Sequence, residues 1–228
     1  AGLNYQQIKK PIIINHDNYS VGIICAAEDE FNNSNLFGTG TNKLDVLELY
    51  DQILELKSKV DKIILFLHGG IEHHRYPTKR QRTKYKCLID MGADCIIGSH
   101  SHCYQGIENY KNGIIFYSLG NFYFNDRGFD DAKTSLAVRL LIGKKIDYEI
   151  CFLENDFKNH KILLLNDTMQ TKHNLIINDL SKKILDEDYQ AKVFNNYSKK
   201  KLNKTIKIFI PLNKILIAII KRTNLFKL

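Results

Sequence analysis

Two short apolar runs, each leading into glycine and histidine, place the strongest constraint on how this chain folds. The first covers Lys62 to Leu67 and the second Cys95 to Ile97, and both have the composition of strands buried in a sheet. Between them, Thr78 to Met91 has helical periodicity, and Gly92 follows as a stop signal. A strand–helix–strand unit of this kind predicts two parallel strands that lie side by side or nearly so.

Histidines follow both of these strands, at the point where each is expected to end. His68 comes directly after the first strand, and His100 and His102 come three and five residues after the second. Ligands gather beyond the carboxyl ends of strands in open α/β sheets, and neutral imidazole binds Zn, Mn, Fe and Ni. The pattern therefore predicts a metal site formed by these three residues, with Glu72 and either His73 or His74 as acid–base or supporting groups. The competing interpretation is that the histidines are structural or surface residues.

The rest of the pattern predicts a mixed α/β domain. The predicted elements are adjacent strands over Pro11–Ile14 and Val21–Cys25, a helix from Thr41 or Asn42 to about Val60, a hairpin at Asn112-Gly113 leading into Ile114–Ser118, strands Leu136–Ile142 and Ile146–Phe152, and an amphipathic helix near residues 175–195. We expect a mixed sheet or a pair of sheets flanked by helices.

The formal net charge of +8 favours acidic partners such as phosphorylated substrates, anionic polymers, nucleic acid or anionic lipid. Residues 75–86 carry six basic side chains and no acid, so they form either a solvated helix face or a surface for phosphate or an anionic polymer. They lack an accompanying nucleic-acid-binding motif, which disfavours nucleic acid as a partner. The five cysteines contain no Cys-x-x-Cys pair, which disfavours a disulfide framework or a structural zinc site.

The two ends of the chain carry separate signals. The start has the pattern of the middle of a domain, so we expect that an N-terminal part is missing, and no signal peptide occurs within the chain as given. The tail from Lys207 to Leu228 is apolar with interspersed lysines, too short and too charged to cross a bilayer. It is expected either to lie on a membrane surface, where its lysines meet anionic lipid, or to pack as a terminal helix.

An ordered set of four short motifs carries a family resemblance. The motifs are residues 68–73 (HGGIEH), 92–102 (GADCIIGSHSH), 105–108 (QGIE) and 117–122 (YSLGNF). In combination they resemble the CapA family of capsule and poly-γ-glutamate biosynthesis proteins, whose domain is similar to the calcineurin-like metallophosphoesterases. The resemblance covers about residues 1–150, which predicts a CapA-like domain over residues 1–155 and a variable basic extension over residues 156–228.

The resemblance implies a metallophosphoesterase-like sandwich of mixed β-sheets flanked by helices, truncated at its N-terminus. It implies that His68, His100 and His102 match metal-site histidines, and that the full-length protein holds two divalent ions, Mn, Fe or Zn. Glu72 matches an acidic position of the family, and Asn121 matches the Ser-Leu-Gly-Asn-Phe motif as a turn residue.

The function implied by the resemblance is that of a metal-dependent hydrolase of phosphoesterase type in capsule or extracellular polymer synthesis. It would act with other capsule-synthesis proteins at the cell envelope or a membrane, while a cytoplasmic location stays open. The alternative is a non-catalytic assembly scaffold that binds an anionic polymer.

Three departures from the family pattern bear on the site. Gly69 stands where the family has tryptophan, which removes a wall of the pocket. The family's Gly-His-His-Pro-His is Gly98-Ser-His-Ser-His here, so one histidine and the proline are lost. The family's N-terminal Asp, Asn-Leu-Glu and Asn-Asn-His motifs have no counterpart, and we expect them before Ala1. The chain as given is therefore expected to bind metal poorly.

Overall fold

The structure, a computed structural model, describes residues 5–16, 18–29, 39–124 and 133–199. It divides the chain into two compact units, residues 1–185 and 186–228. The strands of the first unit are β1 (Ile12–His16), β2 (Tyr19–Ala27), β3 (Lys62–His68), β4 (Cys95–Ser99), β5 (Ile107–Tyr110), β6 (Gly113–Phe116), β7 (Thr134–Ile142), β8 (Ile146–Asp156) and β9 (Lys161–Leu164). Its helices are α1 (Tyr5–Lys9), α2 (Val46–Lys57), α3 (Lys79–Met91) and α4 (Asp167–Leu185).

Six strands form one mixed sheet in the order β1-β2-β3-β4-β6-β5. The strands β2, β3, β4 and β6 run parallel, whereas β1 and β5 pair antiparallel at the two edges. In this register Ala27 lies beside His68, and His68 lies beside Ser99. The carboxyl ends of β2, β3 and β4 are therefore level. This arrangement confirms the predicted strand–helix–strand unit, with β3 and β4 as direct neighbours.

Each face of the six-stranded sheet is covered by a different layer. On one face, Ile53 of α2 and Leu88 of α3 share a buried core with Leu65 of β3. On the other face, the second sheet, β7-β8-β9, and α4 contribute Phe152 and Ile177 to a second core. Burial of each such side chain stabilises the fold by about 1.5–3 kcal/mol. The prediction of a mixed α/β fold with its sheet flanked by helices is confirmed.

The helix α3 begins and ends where the sequence predicts. Thr78 is its N-cap, and the hydroxyl of Thr78 accepts a hydrogen bond from the backbone N–H of Gln81 at 3.0 Å. Gly92 ends the helix with a φ of 123°, a conformation that favours glycine.

The helix α2, in contrast, begins later than predicted. Its N-cap is Asp45, whose Oδ1 accepts hydrogen bonds from two backbone N–H groups of the first turn, at 2.9 and 3.2 Å. Asn42 instead donates from Nδ2 to the carbonyl oxygen of Cys25 (3.0 Å) and to Oε1 of Gln52 (3.0 Å). The predicted start at Thr41 or Asn42 is wrong, because the Asn42 side chain ties the preceding loop to β2 and does not cap the helix.

The helical segment predicted near residues 175–195 is two helices. The first, α4, ends at Leu185, and another helix covers residues 187–199 in the second unit. The break falls at Asp186, whose Oδ1 accepts a hydrogen bond from the backbone N–H of Tyr189 at 2.9 Å. An N-cap at this position starts a new helix, which explains why the pattern does not continue as one.

The C-terminal part of the chain bears on two further predictions. The domain boundary predicted after residue 155 lies near the end of β8, and the division into a CapA-like domain and a basic extension stays a prediction. The apolar tail from Lys207 to Leu228 lies outside the described residues. Within the residues that the structure describes, no helix is long and apolar enough to span a membrane.

The buried carboxylate of Glu108 binds two basic side chains of the stretch at residues 75–86. Only 3% of its side chain is exposed, and it accepts hydrogen bonds from Arg82 Nε (2.8 Å) and from Tyr117 Oη (2.8 Å). Lys86 Nζ lies 2.9 Å from its Oε1. Burial raises the pKa of Glu108, but the hydrogen bonds from these three donors outweigh burial, so its pKa lies below its ordinary value. Arg82 and Lys86 thus neutralise an internal charge.

We predict that Arg82→Ala lowers the free energy of unfolding by about 3 kcal/mol near neutral pH, because the Glu108 carboxylate then stays buried without its main partner. The stabilisation from Glu108 is complete above the pKa of its carboxyl in the unfolded chain and is lost as pH falls through the lower folded pKa. Urea titrations near neutral pH and at about pH 3 measure both effects. The free energy of unfolding of the variant should depend less on pH than that of the native chain.

Lys59→Ala is the control for this measurement. It removes an exposed ion pair with Glu55, in which the N–O distance is 2.7 Å, and should cost less than about 1 kcal/mol. Equal losses in the two variants would show that the Glu108 cluster does not stabilise the fold.

Candidate functional site

The three predicted imidazoles lie next to one another at the carboxyl ends of β3 and β4. His68 is the last residue of β3, and His100 and His102 follow β4. The ring centroids of His68 and His100 are 5.0 Å apart, and those of His100 and His102 are 6.1 Å apart. The parallel register produces this proximity, because His68 pairs with Ser99, the residue before His100. We call this row of three imidazoles the histidine rim.

The backbone at the histidine rim adopts conformations that residues other than glycine rarely take. His100 and His102 have φ angles of 99° and 57°, and the neighbouring His73 has a φ of 55°. Such conformations cost of order 1 kcal/mol or more each, and they persist where the surrounding structure enforces them. Strain of this kind clusters at functional sites, and here it falls on the histidines themselves.

Hydrogen bonds orient two of the three rings. His102 Nδ1 donates to Asn121 Oδ1 at 2.8 Å, because an amide oxygen can only accept. His68 Nδ1 is hydrogen-bonded to the hydroxyl of Ser99 at 2.9 Å, and that hydroxyl lies 3.5 Å from the carbonyl oxygen of Leu67. Protonation at Nδ1 leaves the lone pair of the His102 ring on Nε2. Metal-binding histidines are typically held in this way, with the second ring nitrogen donating to a protein group.

Glu72 and His73 reach the histidine rim beside His102. The rings of His73 and His102 are stacked, with centroids 5.4 Å apart and planes 26° apart. Glu72 Oε1 lies 3.9 Å from His102 Nε2, and 58% of the Glu72 side chain is exposed. The backbone N–H of His73 donates to the carbonyl oxygen of Ser101 at 2.8 Å, which joins the two loops. Both side chains therefore border the same ligand space as His102.

The histidine rim offers donors that suit a divalent metal ion, but it is not a closed coordination shell. Adjoining imidazoles match the ligand preferences of Zn, Mn and Fe. Across the described parts of the chain, no group of three His, Cys, Asp or Glu side chains converges as a complete metal site does. A bound ion therefore requires these rings to move closer together or further ligands to join them.

A cleft of about 580 Å³ opens beside His68, and its walls are mostly apolar. Phe66 lines this cleft and is 41% exposed, although the sequence predicts a strand buried on both faces. Phe122, which is 70% exposed, lines it as well. The ring of Phe124 stacks on that of His102, with centroids 5.0 Å apart. Aromatic side chains thus border the histidine rim at both ends.

Sequence reasoning missed three residues that shape the histidine rim, namely Glu28, Ser99 and Phe124. Ser99 belongs to the Gly-Ser-His-Ser-His motif, and Glu28 follows β2 at the level where β3 ends, so both lie where strand ends meet. No sequence signal distinguishes Phe124. The sequence predicts Asn121 as a turn residue. In the structure it is buried, and its amide oxygen accepts a hydrogen bond from His102 Nδ1.

Comparison with known protein families identifies the chain. The sequence profile described as "Bacterial capsule synthesis protein PGA_cap" matches residues 1–126, more than half of the chain. The chain belongs to this family. The matched region contains β1 to β6 and every histidine of the rim, so the resemblance to CapA proteins is confirmed.

Curated relatives align over shorter stretches. The capsule biosynthesis protein CapA of Bacillus anthracis is 43% identical over 83 residues, which are 36% of this chain and 20% of that protein. The PGA biosynthesis protein CapA of Bacillus subtilis (strain 168) is 39% identical over 92 residues, which are 40% of this chain and 24% of that protein. The aligned part is thus less than a quarter of the length of either relative.

Among solved structures, one match is a Staphylococcus aureus protein assigned as a 5′-nucleotidase, in complex with alpha-ketoglutarate. The TM-score is 0.42 at 16% sequence identity, and the match covers 74% of this chain and 33% of the other. At this level of similarity the comparison adds no inference about activity.

Gly98→Ala is predicted to disturb the histidine rim, because a Cβ at this position would collide with the backbone carbonyl oxygen of Tyr117, just after β6. The strands β4 and β6 must then separate, at a cost of about 1–3 kcal/mol, and the loop that carries His100 shifts with β4. Chemical denaturation measures the first effect, and NMR signals of the histidine rings measure the second.

The matched control is Gly143→Ala, because the nearest atom to its Cβ would be 3.4 Å away, an ordinary contact. This variant should change neither the stability nor the ring signals. Ring signals that also stay unchanged in Gly98→Ala would contradict the coupling between β4 and the histidine rim.

Proposed function

We propose that this chain provides the histidine part of a metal site in a hydrolase of phosphoesterase type that acts in capsule or poly-γ-glutamate synthesis. The adjoining imidazoles of His68, His100 and His102, two of them oriented through Nδ1, are the observation that best supports the proposal. The ions are Mn, Fe or Zn, about two in the full-length protein, as in other two-metal hydrolase sites.

In this proposal the residues at the histidine rim have different roles. The three histidines would hold the metal, while hydrogen bonds between Nδ1 and Ser99 or Asn121 keep two of the ring planes in place. Glu72 and His73 border the ligand space at His102 and transfer protons to or from the substrate. A bound divalent ion supplies Lewis-acid polarisation of a phosphoryl oxygen.

The proposed substrate is anionic, either a phosphorylated molecule or an anionic polymer. The formal net charge of +8 favours the encounter with anions. Lys79 and Arg80 are exposed at the start of α3, where they would bind an anionic polymer or a phosphate group. Both Bacillus relatives are named for capsule or PGA biosynthesis, which agrees with a polymer substrate.

A second candidate function is that of a non-catalytic assembly scaffold, which binds the anionic polymer without hydrolysis. The lack of a converged ligand group among the described residues favours it. For either function, the proposed location is the cell envelope, and the proposed partners are other capsule-synthesis proteins. Association with a membrane surface through residues 207–228 stays a prediction.

Elemental analysis of the full-length protein separates the two candidates. The hydrolase should hold about two ions per chain. His100→Ala should lower both the metal content and the hydrolysis of bis(p-nitrophenyl) phosphate by at least about tenfold, because it removes a ligand.

His16→Ala serves as the matched control, because His16 is exposed on β1, and it should change neither quantity. A full-length protein without metal, together with unchanged hydrolysis in His100→Ala, would overturn the hydrolase proposal and support the scaffold.

A further inference from the structure

Glu28 holds the turn that follows His68 through two separate hydrogen bonds. Its backbone N–H donates to the carbonyl oxygen of His68 at 3.0 Å, and its Oε2 accepts from the backbone N–H of Gly70 at 3.0 Å. The parallel register places it there, because Ala27 pairs with His68 and Glu28 is the next residue. The backbone and the carboxylate of Glu28 therefore hold the turn at its first and its last residue.

The space beside residue 69 is filled by the same side chain. A Cβ built on Gly69 would lie 2.5 Å from Cγ, 2.7 Å from Cδ and 2.9 Å from Oε2 of Glu28. Real Cβ atoms do not approach other atoms so closely. Gly69 and Glu28 are thus complementary, because Gly69 has no Cβ and so leaves free the volume that the Glu28 side chain occupies.

The turn is also tied to the group that orients the imidazole. The backbone N–H of Gly69 donates to the carbonyl oxygen of Ser99 at 3.2 Å, and Gln81 Nε2 donates to the carbonyl oxygen of Gly69 at 3.3 Å. The hydroxyl of Ser99 is in turn hydrogen-bonded to His68 Nδ1. A displacement of the turn therefore alters the contacts of the His68 ring as well as those of the backbone.

We propose that Glu28 is a positioning residue for the metal site: its carboxylate fixes the turn at residues 68–70 and thereby the direction of the His68 ring. This inference rests on the proposed function for its metal-binding consequence, whereas the position of the ring is measurable without metal. The carboxylate acts through His68, because its Oε2 is engaged with a backbone N–H of the turn.

Four single variants, one double variant and two measurements test the proposal. The measurements are the NMR signals of the Gly70 amide and the His68 ring in the metal-free chain, and the Zn²⁺ affinity of the full-length protein by competition with a chelating dye. Glu28→Ala should shift both signals and weaken Zn²⁺ binding by about tenfold, the effect expected when a group that supports a ligand is lost. Glu28→Gln keeps an acceptor oxygen and should restore most of the affinity.

Lys84→Ala is the matched control. Lys84 Nζ lies 3.8 Å from Glu28 Oε1, so this variant removes a charge beside the carboxylate and leaves the bond to the turn in place. Both the NMR signals of the turn and the Zn²⁺ affinity should stay unchanged.

A double-mutant cycle tests the shared volume directly. Gly69→Ala should shift the His68 ring signals strongly in the native background, because of the clash with Glu28. In the Glu28→Ala background the shift should be smaller, since the space is then empty, so the two effects are not additive. If Glu28→Ala does not fold, Glu28→Gln tests the bond to Gly70 and Gly69→Ala tests the shared volume, each compared with the native chain; unchanged His68 ring signals in Gly69→Ala would then overturn the proposal.

Two outcomes are decisive in different ways. Unchanged Gly70 and His68 signals in Glu28→Ala, or strictly additive effects in the cycle, overturn the positioning role. Shifted signals in a full-length protein that binds no Zn²⁺ would instead overturn the proposed function and leave the positioning of His68 established.

Discussion

The level carboxyl ends of β2, β3 and β4 are the constraint on which the candidate site depends. Parallel pairing in this register sets Ala27, His68 and Ser99 side by side. A slip of one residue would turn each strand's side chains to the opposite face. The two cores on the two faces of the sheet oppose such a slip, since every misplaced apolar side chain would lose its burial. The geometry of the histidine rim is therefore a consequence of how the sheet packs.

The helix α3 connects the site to the rest of the sheet. Near its start, Gln81 donates to the carbonyl oxygen of Gly69, in the turn after His68. One residue later, Arg82 binds the buried carboxylate of Glu108 on β5, at the far edge of the sheet. A stretch of the chain that looks like a basic surface in the sequence thus fixes the loop of the site and neutralises an internal charge.

Local patterns were enough where the residues of an element carry its signal, such as periodicity and caps for a helix or an apolar run for a buried strand. The periodicity of residues 78–91, with Thr78 and Gly92 at its ends, defined α3, and the apolar runs defined β3 and β4. The start of α2 was missed because the side chain of Asn42 bonds to the carbonyl oxygen of Cys25, 17 residues away, instead of capping a helix. The CapA resemblance rested on motifs within residues 68–122, and the family profile covers them.

The sequence by itself determined the family, the strand–helix–strand unit and the three histidines that end its strands. Only the tertiary structure decided how these rings are held. Asn121 reaches His102 across 19 residues, and Glu28 reaches Gly70 across 42. Such contacts depend on which strands lie side by side, and neither periodicity nor a short motif encodes them. The tertiary structure also decided that Phe66 lines a cleft, because exposure depends on which layer covers that part of the sheet.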